Sequence, residues 1–148
     1  MSHEERFVYY DVPANQLPLK SYVDRLMRAE TLVFFFPTWC FGMPAMLKGF
    51  FTRLLMPSVA FDLSDPHNVK PALMHIKCIS AVVTHGRPRW TAWLMGDPPR
   101  KSITRYLRLL SGGKAKTDYH ACHHMNVATP PRLEAFKTHA GTAMARLA

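Results

Sequence analysis

The chain has 148 residues, 48% of them hydrophobic and 20% charged, a length and balance expected of one globular, soluble domain with a core of its own. No run of about 18 apolar residues is present, the N-terminus MSHEERFVYY lacks a signal-peptide core, and Cys40, Cys78 and Cys122 form no CxxC pair, which together exclude a membrane-spanning helix and a disulfide framework and predict free thiols in the cytoplasm. The net charge of +9 suits anionic partners in principle, yet no continuous Lys/Arg run and no nucleic-acid motif accompanies it, so nucleic acid is not expected as a partner.

Met1 to Tyr10 has no clear period, and Asp11 to Pro18 reads as a loop broken by Pro13 and Pro18. Leu19 to Ala29 predicts an amphipathic helix with Leu19, Tyr22, Val23 and Leu26 on one face. Leu32 to Phe36 is short, aromatic and uncharged, which predicts a strand buried on both faces of a parallel sheet. Pro37 stops it, and the loop Thr38-Trp39-Cys40-Phe41-Gly42 follows. A helix is expected from Met43, with Pro44 in its first turn and Met46, Leu47, Phe50, Phe51, Leu54 and Leu55 along an apolar face. Pro57 to Pro71 is a long connection, either functional or a plain surface loop.

Lys77 to Thr84 is the second strand, small and β-branched, and it ends in the turn Thr84-His85-Gly86. Trp90 to Pro99 carries two tryptophans, placed either over a ligand pocket or in helix packing. Asp97 is the expected N-cap of a helix whose inner face holds Ile103, Tyr106, Leu107 and Leu110, ended by Gly112-Gly113. The cations concentrate here, from Arg87 and Arg89 through Arg100, Lys101, Arg105 and Arg108 to Lys114 and Lys116, and read mainly as a solvated helix face. Thr117 to Asn126 is the last strand. Its alternation sets His120, Cys122 and His124 on one face and His123 on the other, too spread for one ion, so no metal site is expected. A final helix is expected over Arg132 to Leu147, with Leu133, Phe136 and Ala140 inward. Strands alternating with helices mean a parallel α/β sheet, whose ligands bind at the carboxyl ends of the strands.

The segment PTWCFGMPAMLKGFFTRLLMPSVAF closely resembles the stretch after the third strand of the flavodoxin-like NAD(P)H:quinone oxidoreductases. The matching positions are Pro37, Trp39, Phe41, Gly42, Met43, Pro44, Ala45, Leu47, Lys48, Gly49, Phe50 and Arg53, with Thr52 where the family usually has Asp. The resemblance implies a flavodoxin-like three-layer α/β fold and a flavin, FMN or FAD, with NAD(P)H as co-substrate. It implies cofactor contacts from Pro37, Thr38, Trp39, Cys40 and Phe41 and from Thr84, His85 and Gly86. Arg87 stands where a second glycine is common. Trp90 and Trp93 would wall the substrate pocket, against a flat aromatic electron acceptor such as a quinone. No residue need act as nucleophile, and His85 is the only candidate for a general acid. A homodimer is also expected.

The resemblance covers nearly the whole chain but only about the last two thirds of the family domain, so the expected architecture is a partial domain over 1–148 with three core strands. No early strand with a Ser/Thr/Gly-rich phosphate loop precedes Thr31. Three explanations stand: a truncated chain or wrong start, which is the preferred one, pairing through the open strand edge, or loss of flavin binding. The expected activity is hydride transfer from NAD(P)H through the flavin to a quinone-like acceptor. The alternative is a non-catalytic remnant acting as an interaction or regulatory subunit.

Overall fold

The computed structural model describes residues 1–147; Ala148, the last residue of the expected domain, lies outside them. Helix α1 (His3–Phe7) opens the chain where no period was expected, because Ser2 and Glu5 form a reciprocal capping box. A 3₁₀ turn over Ala14–Leu19 replaces the expected loop and leads into α2 (Lys20–Arg28), which buries Val23 and Leu26. Strand β1 (Thr31–Pro37) and helix α3 (Ala45–Leu54) follow. Pro44 is the residue before α3 rather than in its first turn, and its carbonyl accepts from the Lys48 amide at 2.9 Å.

The long connection is not wholly irregular. Phe61–Asp62 (β2) and Lys70–Pro71 (β3) pair as a short antiparallel ribbon. Strand β4 spans Cys78–Thr84, and the tryptophan-rich segment forms helix α4 (Arg89–Leu94). Residues 98–110 are one continuous helical rod: α5 (Pro98–Lys101), a π-helical stretch (Ser102–Leu107) and α6 (Arg108–Leu110). Asp97 precedes it but does not cap it, since its backbone is left-handed (φ 44°) and its side chain makes no cap bond. Strand β5 (Lys116–Cys122) and helix α7 (Pro130–Ala145) complete the chain.

The main sheet has the order β1-β4-β5, all parallel, with Thr31 opposite Cys78 and Cys78 opposite Lys116. Parallel neighbours require helical crossovers, and α3 and the 98–110 rod lie in them. This is the α/β sheet with flanking helices that the alternation predicted. One face carries Leu32, Phe34 and Phe36 of β1 with Ile79, Ala81 and Val83 of β4, and these join Val23, Leu26, Phe51, Leu54, Ile103 and Leu107 in the core. Phe34 meets Phe51 edge-on at 5.3 Å.

The opposite face corrects an expectation. β1 is not buried on both sides, for Val33 is 40% and Phe35 66% exposed. Met46 and Phe50 likewise stand outside the core, at 88% and 36%, so the buried face of α3 is narrower than its spacing suggested. The outer edge of β1 carries no strand among the described residues. No helix is long and apolar enough to cross a membrane.

Candidate functional site

Two loops leave the carboxyl end of the sheet side by side. After β1, Trp39 and Gly42 exchange backbone hydrogen bonds, Trp39 N–H to Gly42 O at 3.0 Å and Gly42 N–H to Trp39 O at 2.8 Å. Between them Cys40 and Phe41 both have left-handed backbone, φ 48° and 58°. Positive φ at both central positions makes this a type I′ turn, which ordinarily takes Asn and Gly. Two L-residues with Cβ atoms hold it here, at a cost of about 1–2 kcal/mol each. The turn carries the Trp39 ring outward, 67% exposed, with Cys40 exposed and Phe41 half-buried.

The second loop follows β4 and is tied to the first. The Thr38 amide donates to Thr84 O at 2.8 Å, and Thr38 Oγ1 donates to the same carbonyl at 3.2 Å. It is also tied to β5: His85 N–H donates to Cys122 O at 2.8 Å, Met125 N–H to His85 O and His124 N–H to Arg87 O, both at 2.9 Å. Among the described residues the amides of Gly86 and Arg87 donate to no backbone carbonyl. Asn126 lies close against Gly86, where a Cβ would meet its side chain at 3.2 Å. The structure therefore brings Pro37 to Phe41 and Thr84 to Gly86 to one end of the sheet.

The His85 side chain points elsewhere. It is 3% exposed, its Nε2 lies 3.1 Å from Tyr119 Oη, and its ring lies 4.4 Å from that of His123. Burial, followed by His123, pushes its pKa down, while burial pushes the Tyr119 phenol up. What His85 offers the strand ends is its backbone, and its ring belongs to an inner polar cluster.

The tryptophans of α4 are both exposed, Trp90 at 63% and Trp93 at 78%. Trp93 lines a groove of about 730 Å³ against β5 together with Arg89, Arg100, Lys101 and Arg105, cations expected from the sequence on a solvated helix face. Trp90 is not among its lining residues. Tyr119, Ala121 and His123 of the β5 side form its floor. The signal was present in the spacing, because residues 100, 101, 104 and 105 share one helix face, but only the fold shows that this face meets β5. A second groove, of about 450 Å³, runs along β1 and is lined by Tyr22, Leu26, Leu32, Phe34, Phe51 and Leu107. No group of three or more His, Cys, Asp or Glu side chains suited to a metal ion occurs among the described residues, although His120 and His139 are in contact at 3.1 Å.

No curated protein sequence matches the chain. Among solved structures it is similar to an FMN-dependent NADH-azoreductase from Bacillus anthracis in complex with FMN (TM-score 0.73, 13% identity, 99% of this chain and 75% of that one). It is also similar to an NAD(P)H:quinone oxidoreductase from Methanothermobacter marburgensis (0.72, 21%, 99% and 75%) and to Smu.1420 from Streptococcus mutans (0.69, 19%, 90% and 67%). Identities this low establish a shared fold. The family model for the flavodoxin-like fold matches residues 8–136, and on that match the chain belongs to the flavodoxin-like family.

Proposed function

We propose that this chain is a flavin-dependent oxidoreductase that moves hydride from NAD(P)H to a flat aromatic acceptor, a quinone or azo compound, with FMN as the flavin. The observation that carries the reading is the strained turn Trp39–Gly42 at the end of β1. Left-handed backbone at two non-glycine residues persists only where the surroundings enforce it, and such strain clusters at ligand sites. The similarity to solved FMN-dependent and quinone-reducing enzymes supports the same choice.

The residues present fit the flat part of such a cofactor. The turn offers an aromatic surface in Trp39 and Phe41, and the second loop offers the free amides of Gly86 and Arg87. When bound, the flavin supplies the hydride chemistry and an anionic reduced ring edge. Oriented amide donors stabilise charge that develops beside them without reorganising. Thr38 holds the two loops in register through the Thr84 carbonyl, so stacking surface and donors move as one unit. Trp90 and Trp93 stand exposed on the helix that follows, and of the two only Trp93 lines a groove.

A second reading has its own observation. The uncharged outer edge of β1, beside an apolar groove, is an unprotected site for strand pairing, as an interaction subunit would use. Titration of the purified chain with FMN, followed by quenching of flavin fluorescence, separates the two. Saturation near one FMN per chain, reduction of a naphthoquinone by NADH or NADPH, and loss of at least tenfold in FMN affinity in Trp39→Ala are expected. A folded chain that leaves FMN fluorescence unchanged at high micromolar concentration overturns the oxidoreductase reading in favour of the interaction subunit.

A further inference from the structure

We propose that the groove between the 98–110 rod, α4 and β5 is a separate binding site for a nucleoside diphosphate group. The first argument is charge. Arg89, Arg100, Lys101 and Arg105 all line this groove, and among the described residues Asp97 is the only carboxylate that does. Ion pairs elsewhere in the molecule are made with partners to hand, as in Lys20–Asp24, Lys77–Glu30 and Lys137–Glu134. Among the described residues none of the four groove cations has a carboxylate within 4 Å. Four cations gathered on one concave wall with a single carboxylate among them repel one another, and a multivalent anion relieves that repulsion.

The second argument comes from unpartnered polar atoms. Asp97 Oδ1 and His123 Nδ1 both line the groove region, both are buried, and neither has a hydrogen-bond partner among the described residues. Buried polar atoms are nearly always paired. A carboxylate oxygen accepts from hydroxyls, and a neutral imidazole nitrogen accepts or donates, so this end of the groove suits a hydroxyl-bearing group such as a ribose. Burial holds the His123 imidazole toward its neutral form.

The third argument is shape and surface. The groove's volume of about 730 Å³ falls within the range of small-molecule sites, roughly 300–1,000 Å³. Trp93 offers a broad exposed ring, and the Arg100 guanidinium lies 5.9 Å over the Tyr119 ring. Asp97 precedes the first turn of the rod and Arg105 lies in its π-helical stretch, so the acceptor and the cation stand at separate points along the groove for a sugar and a terminal phosphate. Aromatic surface, hydroxyl acceptors and clustered cations together select a base, a ribose and phosphates. A bare anion would leave Trp93 and Asp97 unused. A polynucleotide needs a stripe that extends beyond one groove, and the Asp97 carboxylate on this wall opposes it. The ADP group occurs free and as half of a nicotinamide dinucleotide, and this site reads the chemistry they share.

The test uses the whole chain and calorimetric titration with ADP, NADH, inorganic pyrophosphate, adenosine and a single-stranded oligonucleotide. ADP is expected to bind at one site per chain, at least tenfold tighter than pyrophosphate or adenosine. Its affinity should drop at least tenfold in Arg105→Glu and in the milder Trp93→Ala, with unchanged thermal midpoints. NADH equal to ADP marks the free nucleotide as the source, and NADH tighter marks the dinucleotide; either agrees with the site. Pyrophosphate as tight as ADP, an oligonucleotide that displaces ADP at lower concentration, or no saturable ADP binding to the folded chain overturns it. FMN titration of Arg105→Glu should be unchanged, so failure here and failure of the flavin reading are told apart.

Discussion

The two faces of the sheet are made from the same kind of residue and have opposite fates. On one, Ile79, Ala81 and Val83 are at most 1% exposed and Phe36 is 6% exposed, because α2, α3 and the 98–110 rod lie over them. On the other, Val33 and Phe35 of the same β1 strand are 40% and 66% exposed. Helix α7 meets β5 where His139 touches His120, and its one buried residue is Ala140. Sequence pattern states the environment a strand is suited to, and the layers actually laid over it decide what is buried. β1 is composed for two covered faces and has one among the described residues. The bare face and the open edge meet at Val33, which also lines the apolar groove beside β1.

The comparison breaks most sharply at a single pair of substitutions. Leu107→Ala removes a side chain, 2% exposed, that packs beneath the sheet. A loss of about 2–5 kcal/mol is expected from transfer and cavity terms together. Phe35→Ala deletes a larger side chain from the bare face, yet its effect should stay within about 0.5 kcal/mol, as for surface positions generally. It should also reduce any concentration-dependent self-association, since an exposed aromatic beside an open strand edge favours it. Urea unfolding and sedimentation at two concentrations measure both. Equal losses of stability from the two substitutions would mean that Phe35 is covered in solution.

Much of this was legible in the sequence. The alternation of strands and helices and the two loops at the strand ends were all readable, because buried strands and turn residues leave short, local signatures. The one-sided burial of β1 was not, since Phe34 and Phe35 are the same residue type on opposite faces. The turn at Cys40 and Phe41 was located but its strain was not, as neither residue type announces positive φ. The direction of the His85 side chain was also invisible. His85 continues the inward row of Ile79, Ala81 and Val83, and so its ring follows the core face while its backbone stays with the loop. The cationic groove was the largest omission. Its cations are visible in the sequence one by one, but Tyr119 of β5 and His123 just after it, which turn a helix face into a groove, are brought there only by the fold.

The strained turn sharpens the comparison at the sheet's end, where stability and function pull apart. In Cys40→Gly the left-handed backbone (φ 48°) loses its Cβ conflict. The gain, about 1 kcal/mol, is partly offset by the greater freedom of glycine when unfolded. Denaturant unfolding should show this small stabilisation. FMN affinity should change little, because the Trp39 and Phe41 rings remain; weaker binding in proportion to the added freedom would assign the strain itself a role in holding them.

The smallest expected effect concerns the inner cluster that joins the packed face to the groove. His85 and His123 stack at 4.4 Å, and burial lowers both pKa values below the ordinary 6.5. A histidine whose folded pKa is depressed binds fewer protons folded than unfolded. Its contribution to stability is therefore complete above about pH 6.5 and is lost as pH falls from there through the folded values. Beyond burial, one carboxylate and three guanidinium neighbours act on His123: Asp97 favours its charged form, and Arg89, Arg100 and Arg132 oppose it. The thermal midpoint should fall between pH 7 and pH 5 in the native chain. In His85→Gln, which keeps a polar partner for Tyr119 and adds no titrating group, that slope should flatten. An unchanged slope would show that His85 does not titrate differently on folding, and would leave the pH dependence to His123 at the groove wall.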